Sequence, residues 1–106
     1  MNEHEFNELS EAVLTRIEAG LERSAADLDF ELIDDRVLEI ELPDRSKVIV
    51  TRNEAVREIW VAARPGGFHY RWDGQVWRDT RSGEELFGAL SRLLSSQTGE
   101  DVPLTG

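Results

Sequence analysis

Five carboxylates carry the clearest chemical potential in this chain: Glu18 and Glu22, followed closely by Asp27, Asp29 and Glu31. Carboxylate oxygens are hard ligands suited to Ca²⁺, Mg²⁺, Mn²⁺ or iron. With no cysteine, and only His4 and His69 as imidazoles, a zinc or copper centre is disfavoured. Asp27-x-Asp29-x-Glu31 is not an EF-hand loop, because it lacks the glycine at the sixth position and the glutamate at the twelfth. A cation held there is expected to bind weakly, on an open ridge. The plain alternative is a solvated face that only confers solubility. Against it stands a cost: like charges four apart on a helix, as at Glu18 and Glu22, repel by roughly 0.2–0.5 kcal/mol.

The charge distribution sharpens this reading. The chain of 106 residues has a formal net charge of −10. Up to Asp44 there are fourteen acids against the three bases Arg16, Arg23 and Arg36, whereas the remainder has nine bases against eight acids. One part of the chain therefore holds the whole negative excess. Such acidity argues against nucleic acid as ligand, since phosphate binding rests on clustered Lys and Arg, and favours cations or basic proteins. No apolar run approaches the roughly 20 residues of a membrane helix. The first residues are acidic where a signal peptide would be basic. The expectation is a cytoplasmic protein with no membrane partner, built as one domain over residues 1–106.

Positioning those acids requires regular elements. Phe6, Leu9, Val13, Ile17 and Leu21 recur at spacings of three and four, predicting an amphipathic helix over residues 3–23. Glu8, Glu11, Glu18 and Glu22 form a stripe beside its core face. From Asp27 the period becomes two, predicting strands over residues 27–32, 37–42 and 47–52 that form a meander. Further strands are expected over residues 56–63, 68–72 and 75–78, with Asp73-Gly74 as a hairpin turn. Ser82-x-x-Glu85 has capping-box spacing before Leu86, Phe87, Leu90, Leu93 and Leu94, which predict a second helix to about Gln97. Residues 98–106 read as a loosely held tail.

The expected fold is α+β: a two-layer sandwich with two helices packed on one face of a five- to six-stranded antiparallel sheet. If the first strand is the edge nearest the first helix, Asp27, Asp29 and Glu31 would join Glu18 and Glu22 in one acidic ridge. Alternation places Ile59 and Val61 inward and Trp60 outward, and likewise sends His69 and Arg71 outward. An exposed tryptophan on a sheet suggests a contact surface, unless arginine stems simply cover it. No acid, base and nucleophile are arranged for catalysis, so no enzyme is expected.

Met1-Asn2-Glu3-x-Glu5-Phe6, Ile59-Trp60-Val61-Ala62, Pro65-Gly66-Gly67-Phe68-His69-Tyr70 and Asp79-x-Arg81-Ser82-Gly83-Glu84 together resemble the bacterial frataxin family in order and spacing. The resemblance spans nearly the whole chain and implies the same two-layer sandwich. It also implies weak binding of iron, Fe²⁺ or Fe³⁺, with other divalent cations as further candidates, in iron–sulfur cluster assembly. In that role the protein would donate iron to, or regulate, the cysteine desulfurase, with the iron–sulfur scaffold as a second partner. A monomer that metal can drive into oligomers is expected. By position, Glu18, Glu22, Asp27, Asp29 and Glu31 match the family's metal-binding acids, while Glu18, Glu22, Trp60 and His69 are the expected partner contacts. Ala19, Arg23, Ala25 and Ala26 stand where bacterial members commonly place further acids, so fewer or weaker ions are expected. Asn53 and Ala55 also depart from the usual Gln and Pro. The alternative is an interaction adaptor whose metal binding is incidental.

Overall fold

The computed structural model describes residues 1–24 and 27–105. Helix α1 runs Glu3–Arg23 and starts at a capping box, with Asn2 accepting from the Glu5 N–H at 2.8 Å and the Glu5 carboxylate accepting from the Asn2 N–H at 3.3 Å. Its buried face comprises Phe6, Ser10, Val13, Leu14, Ile17, Gly20 and Leu21. Leu9, expected in the core stripe, is only half-buried.

Six strands follow in chain order: β1 Asp29–Ile33, β2 Val37–Glu41, β3 Lys47–Asn53, β4 Glu58–Ala63, β5 Gly66–Trp72 and β6 Trp77–Asp79, before α2, Leu86–Thr98. They form one sheet in the order β1-β2-β3-β4-β5-β6, every neighbouring pair antiparallel. The period of two sorts their side chains cleanly. Leu38, Ile40, Val48, Val50, Ile59, Val61, Tyr70 and Trp77 are buried in one cluster with the apolar faces of both helices, so both helices lie on one side of the sheet. This is the expected α+β sandwich, with six strands.

Besides β1 and β6, which start two residues later than expected, and β5, which starts two residues earlier, three local expectations need correction. Strand β4 begins at Glu58, two residues later than predicted, because the turn before it takes Arg57 into the left-handed region at φ 53°. The cap of α2 is Glu85, whose carboxylate accepts from Phe87 N–H at 2.8 Å and Gly88 N–H at 3.2 Å. Ser82 instead accepts from Glu84 N–H within a turn organised by Asp79, which accepts from the N–H groups of Arg81 and Ser82.

The third correction concerns the tail, which is docked rather than loose. Val102 and Leu104 are buried against the core. The Ser95 hydroxyl accepts from Val102 N–H at 2.9 Å, and that of Ser91 accepts from Leu104 N–H at 2.8 Å. Gly20 admits Leu104, since a Cβ there would lie 2.8 Å from Leu104 Cδ2. Two serines one turn apart thus satisfy backbone donors that Pro103 and the lack of a sheet partner would otherwise leave bare.

Candidate functional site

The five acids are all at the surface, in two settings. Glu18 is half-exposed and Glu22 exposed on α1, beside the buried Ile17 and Leu21. Asp27 is exposed ahead of β1, and Asp29 and Glu31 are exposed on β1 itself, at the sheet edge. Register settles which way the strand acids face: Asp29 lies opposite Glu41 and Glu31 opposite Glu39, alternating with Phe30 opposite Ile40 and Leu32 opposite Leu38. Because Leu38 and Ile40 point to the helices, Asp29, Glu31, Glu39 and Glu41 share the helix-free face.

The neighbours of Asp29 and Glu31 across the sheet are therefore Glu41 and Glu39, on the face opposite to the layer that carries Glu18 and Glu22. Like charges directly opposite one another are unfavourable, and the relief is limited: Lys47 Nζ lies 2.6 Å from Glu39 Oε1 and opposite Glu41. Among the described residues, no three of His, Asp and Glu come close enough together to hold one metal ion. The acids form an open surface of separate carboxylates.

Across the same face a more organised group stands on β4 and β5. Trp60 lies opposite His69, and their rings stack with centroids 4.4 Å apart and planes 8° from parallel. The group's centre is Glu58, only 6% exposed although it sits on the face that no helix covers. Its Oε1 accepts from Trp60 Nε1 at 2.8 Å and lies 3.6 Å from His69 Nδ1, while its Oε2 accepts from Arg71 Nε at 2.6 Å. Burial pushes the Glu58 carboxyl up. The hydrogen bonds from Arg71 and Trp60 and the nearby charges of Arg71 and His69 outweigh it, leaving the group below its ordinary value. An ionised carboxylate thus fixes the orientation of an indole, a guanidinium and an imidazole at once. The result is a flat, pre-organised aromatic and cationic platform.

Comparison with known proteins agrees with this architecture. A model of the frataxin-like domain matches residues 1–100. The chain is 59% identical over 104 residues to the iron–sulfur cluster assembly protein CyaY of Dechloromonas aromatica, covering 98% of this chain and 99% of the relative. It is 47% identical over 107 residues to CyaY of Ralstonia nicotianae, covering 98% and 95%. A solved structure of frataxin from Psychromonas ingrahamii superposes with a TM-score of 0.92 at 32% identity, over the full length of both chains. The chain belongs to the bacterial frataxin family.

On this frataxin sheet, Trp60 and His69 stand on the helix-free face, where alternation placed them, but Glu58 and Arg71 complete the platform. Alternation gathers Trp60, His69 and nearby arginines on the uncovered face and sets Glu58 there too, without marking Glu58 as their shared acceptor. The missing signal lies in the pairing. Continuing the β4–β5 register by one residue from Ile59 opposite Tyr70 puts Glu58 opposite Arg71. Ala19 and Arg23 of this frataxin flank Glu18 and Glu22 on α1, while Ala25 and Ala26 lie outside the described residues. Among the described residues, no helix is long and apolar enough to cross a membrane.

Proposed function

We propose that the protein serves iron–sulfur cluster assembly without itself catalysing a reaction, carrying iron as cargo on Glu18, Glu22, Asp27, Asp29 and Glu31 and acting on the cysteine desulfurase as iron donor or regulator. The observation that carries this reading is the surplus of exposed carboxylates with few cationic partners and no closed cluster among the described residues. Separate carboxylates attract Fe²⁺ or Fe³⁺ without enclosing it, so the ion stays exchangeable, as a donor requires. The names of the CyaY relatives support the pathway. Glu18, Glu22, Trp60 and His69 are the proposed partner contacts, and an acidic surface suits a partner rich in arginine.

A second reading, an adaptor whose metal binding is incidental, is favoured by the Glu58 platform. Its order comes from protein groups alone. Anaerobic titration of Fe²⁺ into ¹⁵N-labelled protein separates the two, with the Glu18→Lys, Glu22→Lys double variant and added desulfurase as parallel arms. Signals perturbed over residues 18–31, and lost in the double variant together with docking, support the iron-carrying reading. Docking that survives the double variant but is lost in Trp60→Ala establishes the adaptor.

A further inference from the structure

Strand β1 is an edge, and the parity of the ladder fixes which of its backbone groups are free. Arg52 N–H donates to Arg36 O, so Arg36 and, alternately along β2, Leu38 and Ile40 direct their backbone groups to β3. Val37, Glu39 and Glu41 therefore direct theirs to β1, where their partners are Ile33, Glu31 and Asp29. The N–H and C=O groups of Phe30 and Leu32 consequently point away from the sheet. Among the described residues, neither has a hydrogen-bond partner on that side. The side chains of Leu28, Phe30 and Leu32 are half-buried, packed on the core yet leaving apolar surface at the rim.

We propose that this edge takes up a seventh, antiparallel strand: an extended segment of a partner protein in which lysine or arginine alternates with apolar residues. The proposal rests on the reading above, that the acidic surface receives a basic partner, and adds how that partner is held. Bare edges normally invite pairing with another copy. Here a second copy would bring more carboxylates against Asp29 and Glu31, as β2 already does with Glu41 and Glu39. Like charges across a strand pair disfavour that dimer, and opposite charges favour a basic strand. Parity also dictates the pattern: residues opposite Phe30 and Leu32 exchange backbone bonds with them and lay apolar side chains on the rim. Those opposite Asp27, Asp29 and Glu31 present their cations on the helix-free face.

The pattern is tested with the heptapeptide Val-Val-Lys-Val-Lys-Val-Lys and the full ¹⁵N-labelled chain. Two further versions are N-methylated, one at the second, fourth and sixth residues and the other at the third, fifth and seventh. Both keep charge and composition, but only the first removes the N–H groups that face β1. At saturation, the parent peptide should slow amide exchange of Phe30 and Leu32 about tenfold or more, and the first N-methylated version should bind about tenfold more weakly or worse, as loss of two or three backbone bonds requires. The second should bind within about twofold of the parent. Equal binding by both N-methylated versions, or no added protection at Phe30 and Leu32, overturns strand addition. So does absence of binding, or a dimer of the chain formed through β1. Desulfurase docking that still depends on Glu18 and Glu22 would leave the basic-partner reading standing in each of those cases, whereas its indifference to them would remove that reading separately.

Discussion

Replacing Glu58 by glutamine tests whether a single buried carboxylate organises the platform. The substitution keeps an acceptor for Trp60 Nε1 but presents a neutral amide to Arg71, whose Nε stands 2.6 Å from the present carboxylate. A hydrogen bond to a charged group is worth about 1.5–3 kcal/mol, but Arg71 has a side chain 66% exposed, so water recovers part of that. The net loss should be about 1–2 kcal/mol at pH 7, a fall in Tm of roughly 4–8 °C for a domain of this size. The pH dependence gives the sharper check. Glu58 lies below its ordinary value of 4.5 when folded, so its contribution is fully present above that value and disappears as pH falls through the lower folded one. Urea unfolding of both proteins between pH 7 and pH 3 should show the gap at its widest at neutral pH and closing as pH falls below 4.5, where the unfolded chain takes up this proton before the folded one does. Equal stability at pH 7, or a gap that does not change with acidification, would refute the assignment of Glu58 as the ionised centre of the platform.

Other perturbations probe the scaffold. Leu104→Ala should cost about 2–3 kcal/mol, near the lower end for a buried leucine because the segment that carries it belongs to no helix or strand and can shift to fill the gap; chemical denaturation measures it. Gly20→Ala should stabilise by about 1 kcal/mol through helix propensity in the Leu104→Ala background and by less in the wild type, where Leu104 Cδ2 must move; a double-mutant cycle that shows no coupling would remove the close approach from the account. Arg52 is buried on the helix side, with Glu11 and Glu54 each 3.1 Å away, while its Nε has no hydrogen-bond partner among the described residues. Because Glu11 is 57% exposed and can rehydrate, Arg52→Met should cost less than about 1 kcal/mol, unlike the 3–5 kcal/mol typical of a broken, fully buried pair; calorimetry decides it. Asp73 is held down to about 2 by the N–H groups of Val76 and Gln75 and by Arg78, so its carboxyl ¹³C signal should titrate near pH 2, and its stabilisation should be complete above the ordinary value of 3.8 and fall away progressively from there to about pH 2.

The sequence made the large elements legible where local pattern and tertiary environment agree. Helix α1 was predicted at its observed bounds because its apolar spacing, its lack of proline and the start of alternation after it all coincide. The inward and outward faces of β4 and β5 followed from a period of two that no bulge interrupts. Failures arose where a side chain had a competing local use. Ser82 and Glu85 have the spacing of a capping box, yet Ser82 is engaged in the Asp79 turn and the helix starts three residues later. The same signature at Asn2 and Glu5 does form the box, because no such turn competes there. The docking of Val102 and Leu104 depends on Gly20 of one helix and Ser91 and Ser95 of the other, a conjunction with no one-dimensional trace.

For the candidate site, the missing knowledge was which acids share a face. Reading the strand acids with Glu18 and Glu22 made one ridge of two layers; the register instead joins Asp29 and Glu31 to Glu39 and Glu41, and through the same face to Trp60, His69 and Arg71. Three strand spacings of about 4.8 Å separate β1 from β4, and the register sets Glu31 level with Ala62, four residues along β4 from Glu58, so the acidic edge and the platform centre lie roughly 20 Å apart. An interface of ordinary size is wide enough to cover both, and the proposed partner would then set a basic part over β1 and an acidic or aromatic part over Arg71 and Trp60. That arrangement makes a stringent demand on docking energetics. If one partner spans the face as a rigid body, Asp29→Lys and Trp60→Ala each weaken docking, and the double variant should lose less than the sum of the two, because once one anchor is gone the other no longer holds the partner in register. Strict additivity in isothermal titration would mean two independent contacts. Docking left unchanged by Asp29→Lys would instead leave the acids on β1 free to carry iron while the platform holds the partner.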